Sequence, residues 1–113
     1  MLDSAGFLSI DRAKFQAVFA NDLGRDEAAL LAVSQKPLAA AIFDESIKAA
    51  AWKTIPSRYV VSTHDNAINP DLQRFMAKRI GAQTKEIRAS HVGFISNPAE
   101  ITKVIQAAAT ATN

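Results

Sequence analysis

Tyr59-Val60-Val61-Ser62-Thr63-His64-Asp65-Asn66 is the stretch on which the fold turns. Tyr59 to Val61 is a short apolar, β-rich run after Pro56, the form of a strand buried on both faces, and it ends in the polar loop Ser62 to Asn66. Asn69 then caps a helix with Pro70 in its first turn. Leu72, Phe75, Met76 and Ile80 share one face of that helix, and Gly81 follows as a left-handed stop. A second strand reads over Thr84 to Ala89, half-exposed because Lys85, Glu86 and Arg88 surround Ile87. It ends in Ser90-His91. Asn97-Pro98-Ala99-Glu100 has capping-box spacing and opens a last helix with Ile101, Val104, Ile105 and Ala108 as its buried stripe. The order strand, helix, strand, helix predicts a right-handed parallel βαβα unit. Its strands lie near Arg58 to Ser62 and Thr84 to Ala89, and its helices near Pro70 to Ile80 and Pro98 to Ala108.

Upstream of Trp52 the periodicity is helical. Asp11 caps a helix with Phe15, Val18 and Phe19 on one face, Leu23 beyond it and Gly24 as its stop. Asp26 begins a second segment with Leu30, Leu31 and Val33, and Pro37 opens a third with Leu38, Ile42 and Ile47. The chain thus divides into a helical region, 1–51, and a strand-helix region, 52–113. Ala107 to Thr112 reads as a fraying helix end. A length of 113 residues suits one domain. The 49% apolar and 21% charged composition is that of a globular chain. Thirteen basic residues are scattered against eleven acidic ones, with no run that would track phosphates, so no nucleic-acid partner is expected. Without cysteine there is no disulfide, thiolate metal site or thiol nucleophile. No apolar stretch reaches the roughly 18 to 20 residues that span a bilayer, and Met1 to Ile10 lacks the basic start of a signal peptide, so no membrane association and a cytoplasmic location are expected.

In open parallel α/β sheets, functional groups gather at the carboxyl ends of the strands. Here those ends carry Asp65 and, in the next loop, His91. On one sheet edge the carboxylate would accept a hydrogen bond from the ring, fix its tautomer and stabilise the imidazolium. That is the acid-base half of a nucleophilic relay.

The series Trp52-Lys53-Thr54-Ile55-Pro56, Tyr59-Val60-Val61-Ser62, Asp65 with Ile68 and Pro70, Arg74-Phe75-Met76-Ala77, Gly81-Ala82 and Ser90-His91 resembles the C-terminal part of an α/β-hydrolase of the esterase-like branch. Phe19-Ala20-Asn21-Asp22-Leu23 and Gln35-Lys36-Pro37-Leu38 resemble the helical cap such enzymes place over the active site. The resemblance implies an α/β fold, with a helical cap preceding the βαβα portion of the core. It also implies hydrolysis of a carboxylic ester or related small acyl compound in the chain order Ser, Asp, His, with Asp65 as orienting acid, His91 as general base, and no metal or cofactor. The G-x-S-x-G elbow that exposes the serine is nowhere in the sequence, because Gly6, Gly24, Gly81 and Gly93 do not flank a serine at that spacing. The oxyanion loop is missing too. The chain alone is therefore expected to be inactive.

Blander readings stand beside these. His64 next to Asp65 suggests a metal site with His91, but an exposed loop histidine is the simpler account. Ser62 and Ser90 lack the glycine-flanked turn of a nucleophile and read as strand-end hydrogen-bonders. Asp44-Glu45 reads as a solvated face, and Phe43 and Trp52 as core packing. Three functions stay open: the acid-base part of a serine hydrolase that works with a nucleophile-bearing N-terminal half, a non-catalytic self-associating or protein-interaction module derived from the fold, and a truncated or proteolytic remnant. A two-stranded sheet has open edges and is marginal alone. Tyr59, Val60 and Val61 should present surface the chain cannot cover, which predicts a homo-oligomer or a complex with the missing half.

Overall fold

A computed structural model describes residues 1–111. The two strands of the decisive stretch form a parallel pair: β3 (Arg58–Ser62) beside β4 (Gln83–Ile87), with Tyr59 opposite Thr84 and Ser62 opposite Ile87. Earlier in the chain come β1 (Phe7–Leu8), α1 (Arg12–Phe19), α2 (Arg25–Ser34) and β2 (Leu38–Ala39). Helix α3 (Pro70–Arg79) crosses between the parallel strands, and α4 (Gly93–Ser96) and α5 (Pro98–Thr110) follow β4. Asn69 caps α3 by accepting the Asp71 N–H at 2.8 Å. Gly81 stops it at φ +63°, donating to Lys78 O while Ala82 N–H reaches back to Ala77 O, a left-handed turn that satisfies the last carbonyls.

Two ion pairs fix the layering. Glu86 is held by Arg74 of α3 at 2.7 Å, and its neighbour Lys85 by Glu100 of α5 at 3.1 Å. Consecutive strand side chains point to opposite faces, so α3 covers one face of the sheet and α5 the other. Val61, opposite Glu86, lies on the α3 side and is fully buried, as is Ala77 of α3. A second cluster, Phe15, Ala20, Ala28, Ala32 and Val92, joins α1 and α2 to the segment after β4.

Several expectations need correction. The helix expected from Pro37 is instead β2, paired antiparallel with β1, followed by a 3₁₀ turn over Ala40–Asp44. Leu38 opposite Leu8 gains a ladder partner there that an isolated short helix would lack. Gly24 does not stop α1; its extended backbone (φ −61°, ψ 152°) starts α2, whose first turn holds Asp26 and Glu27 where the helix dipole favours acids. Strand β4 runs Gln83–Ile87, not to Ala89. On α3 the buried residues are Gln73 and Ala77, whereas Leu72 and Phe75 are exposed, because the helix turns Gln73 inward for hydrogen bonds described below. Asn97 makes no capping bond: its amide donates to Ser96 Oγ, and Glu100 is drawn to Lys85 and Lys103. Ile105 is exposed. Phe43 is 72% exposed and Trp52 38%, so neither is core. The chain covers Val61 itself, leaving only Tyr59 and Val60 half-exposed. Of the fraying run Ala107 to Thr112, α5 holds its turns to Thr110, and Thr112 lies outside the described residues.

Candidate active site

The loop after β3 folds around Asp65. Its Oδ1 accepts the backbone N–H groups of Ala67 (2.7 Å) and Ile68 (2.9 Å), an Asx turn that aims the carboxylate inward. Its Oδ2 accepts Gln73 Nε2 at 2.8 Å and faces His91 Nδ1 at 2.8 Å. The carboxylate side chain is 3% exposed, the imidazole 29%. Both carboxylate oxygens are thus committed to acceptor roles, which suits an ionised Asp65, and an ionised carboxylate can only accept. His91 Nδ1 must then carry the proton, leaving Nε2 of the neutral ring with its lone pair free to take a proton from a substrate-side hydroxyl.

Further contacts hold the pair in place. The ring of Phe19 from α1 lies 4.4 Å from the His91 ring, centroid to centroid. Gln73 is almost wholly buried, and besides bonding Asp65 it donates to Ile68 O (2.9 Å) and accepts Ser62 N–H (3.0 Å). Thr63 N–H bonds Ile87 O across the sheet. Ser62 N–H therefore points to the opposite, outer edge of β3, where Gln73 closes it off. Val60 and Arg58 alternate with Ser62 and face that same edge, which no strand pairs among the described residues. A cleft of about 270 Å³ opens there, lined by Tyr59, Val60, Ser62, Asp65, Gln73 and His91. Burial, then the nearby Asp65 charge, raise the Tyr59 phenol above its ordinary pKa.

Both residues expected from the sequence meet in the structure. Ser90 is fully buried with Oγ accepting Val92 N–H, and Ser62 lies under Gly93, so neither is placed as a nucleophile. His64 is exposed and its Nδ1 contacts Thr63 Oγ1; among the described residues no group of three or more His, Asp or Glu could hold a metal ion. Asp44 and Glu45 are exposed. Gln73 and Phe19 are site residues that the sequence does not mark as such. A polar residue on an otherwise amphipathic helix, eight positions after the acid, was the only signal for Gln73. No helix among the described residues is long and apolar enough to cross a membrane.

Comparison with known proteins gives a match to one family model, described as alpha/beta hydrolase family, over residues 2–104. Neither the curated proteins nor the solved structures gave a match.

Proposed function

The chain belongs to the alpha/beta hydrolase family, and from that membership we propose that it supplies the acid, Asp65, and the base, His91, of a serine hydrolase acting on carboxylic esters or related small acyl compounds. The observation that carries this is the 2.8 Å contact of buried Asp65 Oδ2 with His91 Nδ1, facing the cleft at the open edge of β3. In this reading His91 Nε2 takes the proton of a serine hydroxyl as its oxygen attacks the acyl carbon. The imidazolium, stabilised by Asp65, returns that proton to the departing alcohol. The serine and the oxyanion donors come from outside these 113 residues, from another part of the same polypeptide or from a separate chain. The Val60 edge of β3 is where such a partner adds its strand.

The second reading, a non-catalytic module that associates with copies of itself, draws on the same open edge and on the exposed Leu72 and Phe75 of α3. Ester hydrolysis separates the two. We expect no turnover of a short-chain ester by the isolated chain, and turnover when it is joined to a nucleophile-bearing segment. In that assembly Asp65→Asn should lower kcat by about four orders of magnitude and His91→Ala by about six. An assembly with full activity in both variants would remove the pair from the mechanism.

A further inference from the structure

The turn between α1 and α2 reaches both functional loops through two neighbouring side chains. Asn21 Nδ2 donates to the carbonyl of His64 at 2.9 Å, and His64 immediately precedes Asp65. Asp22 Oδ2 accepts the N–H of Ser90 at 2.8 Å, and Ser90 immediately precedes His91; the same oxygen accepts Ser96 Oγ of α4 at 2.6 Å. Each loop is therefore tied at the residue just before the one that matters, by one two-residue turn. The Phe19 ring, two residues before Asn21, packs on His91, and Asn66 Nδ2 donates back to Ala17 O of α1 at 2.8 Å. Burial would raise the Asp22 carboxyl, but the bonds from Ser90 and Ser96 outweigh it and hold it below its ordinary value.

We propose that Asn21 and Asp22 are positioning residues, which together set the separation and orientation of Asp65 and His91. Two hydrogen bonds on adjacent residues of one turn constrain both loops from the same side, adding to the backbone bond of His64 N–H to Ala89 O that joins the loops directly at 3.0 Å. Ser90 is fully buried with Asp22 in place, so removing that side chain takes away the fixed acceptor of its N–H and the tether that the acceptor gives the loop. The proposal rests on His91 being the base that Asp65 orients.

The test is the downfield proton resonance of His91 Nδ1–H in the whole chain. We expect it in the unmutated protein, lost in Asp22→Ala and in Asn21→Ala, and restored in Asp22→Asn, whose amide oxygen accepts the same N–H. Resonances of Phe15, Ala28 and Ala32 should stay in place, showing that the packing of α1 and α2 is intact. Asn21 is exposed and its partner carbonyl can turn to water, so Asn21→Ala decides the matter should Asp22→Ala not fold. An unchanged Nδ1–H resonance in a folded Asp22→Ala or in Asn21→Ala overturns the proposal. Absence of the resonance from the unmutated chain is a distinct failure: it removes the Asp65–His91 pair itself, and the proposal with it.

Discussion

Each oxygen of Asp65 accepts two hydrogen bonds, and the one that faces His91 shares its lone pairs with Gln73. Gln73 thus supports both the acid and the outer edge of β3. Gln73→Ala leaves Ser62 N–H without its partner at the outer edge and takes one donor from Asp65. Each buried group left unpaired costs about 1 to 3 kcal/mol, so urea unfolding should show a loss of roughly that size with the slope unchanged. At this scale the sequence was partly legible. Asp65 and His91 were marked by their place after the two strands taken together with the resemblance to an α/β-hydrolase, since Ser62, Thr63, His64 and Ser90 are polar at the same strand ends. Gln73, Asn21 and Asp22 did not stand out, because the partners that tie them to the site, Asp65, His64 and Ser90, lie 8, 43 and 68 positions away and only folding brings them together. Phe43 misled, since a large apolar side chain reads as core whether or not the chain supplies the surface to cover it.

Among the elements, α4 begins at a close approach to the sheet, made by Gly93. A Cβ there would lie 2.9 Å from Ala89 Cβ, 3.1 Å from Ile87 Cδ1 and 3.2 Å from Ser62 Oγ. Ala89 has no flexible end to swing away, so Gly93→Ala must push α4 and the His91 loop off the strands. Overpacking of this kind costs about 1 to 3 kcal/mol, visible in thermal unfolding, and should also shift the His91 ring resonances. The helices α3 and α5 are tied to β4 by exposed ion pairs, whose effect depends on pH and salt. Hydrogen bonds from Arg74 lower the Glu86 carboxyl, and those from Lys103 and then Lys85 lower Glu100. A carboxyl with a lower pKa folded than unfolded favours the fold above the unfolded value of about 4.3. That contribution fades as pH falls through the folded value. Melting temperature should therefore drop on acidification from about pH 5 towards about pH 3, and concentrated salt should flatten the drop because these groups are solvent-exposed. The parallel βα unit was legible because caps, stops and apolar runs are local signals. The β1–β2 pair was not, because two-residue strands carry no period and depend on a partner some thirty residues away. The stripe Leu72, Phe75, Met76 and Ile80 has the right helical spacing, yet α3 is rotated to bury Gln73 and Ala77 instead.

For the whole molecule, an open β3 edge and exposed Phe75, Phe43 and Phe94 leave apolar and backbone surface facing water. Such a surface favours association, so sedimentation of the isolated chain at micromolar concentration should show a dimer or larger species, and a cooperatively unfolding monomer would contradict this. Adding the nucleophile-bearing segment should displace self-association, because both use the same edge. The central claim is that this chain contributes acid and base while the nucleophile lies elsewhere, and it is tested most directly by mapping where a serine-directed fluorophosphonate attaches. In the joined assembly the label should fall on a serine outside these 113 residues, and His91→Ala should abolish labelling; the isolated chain should take up none. Label on Ser62 or Ser90, or labelling that persists without His91, would contradict the account.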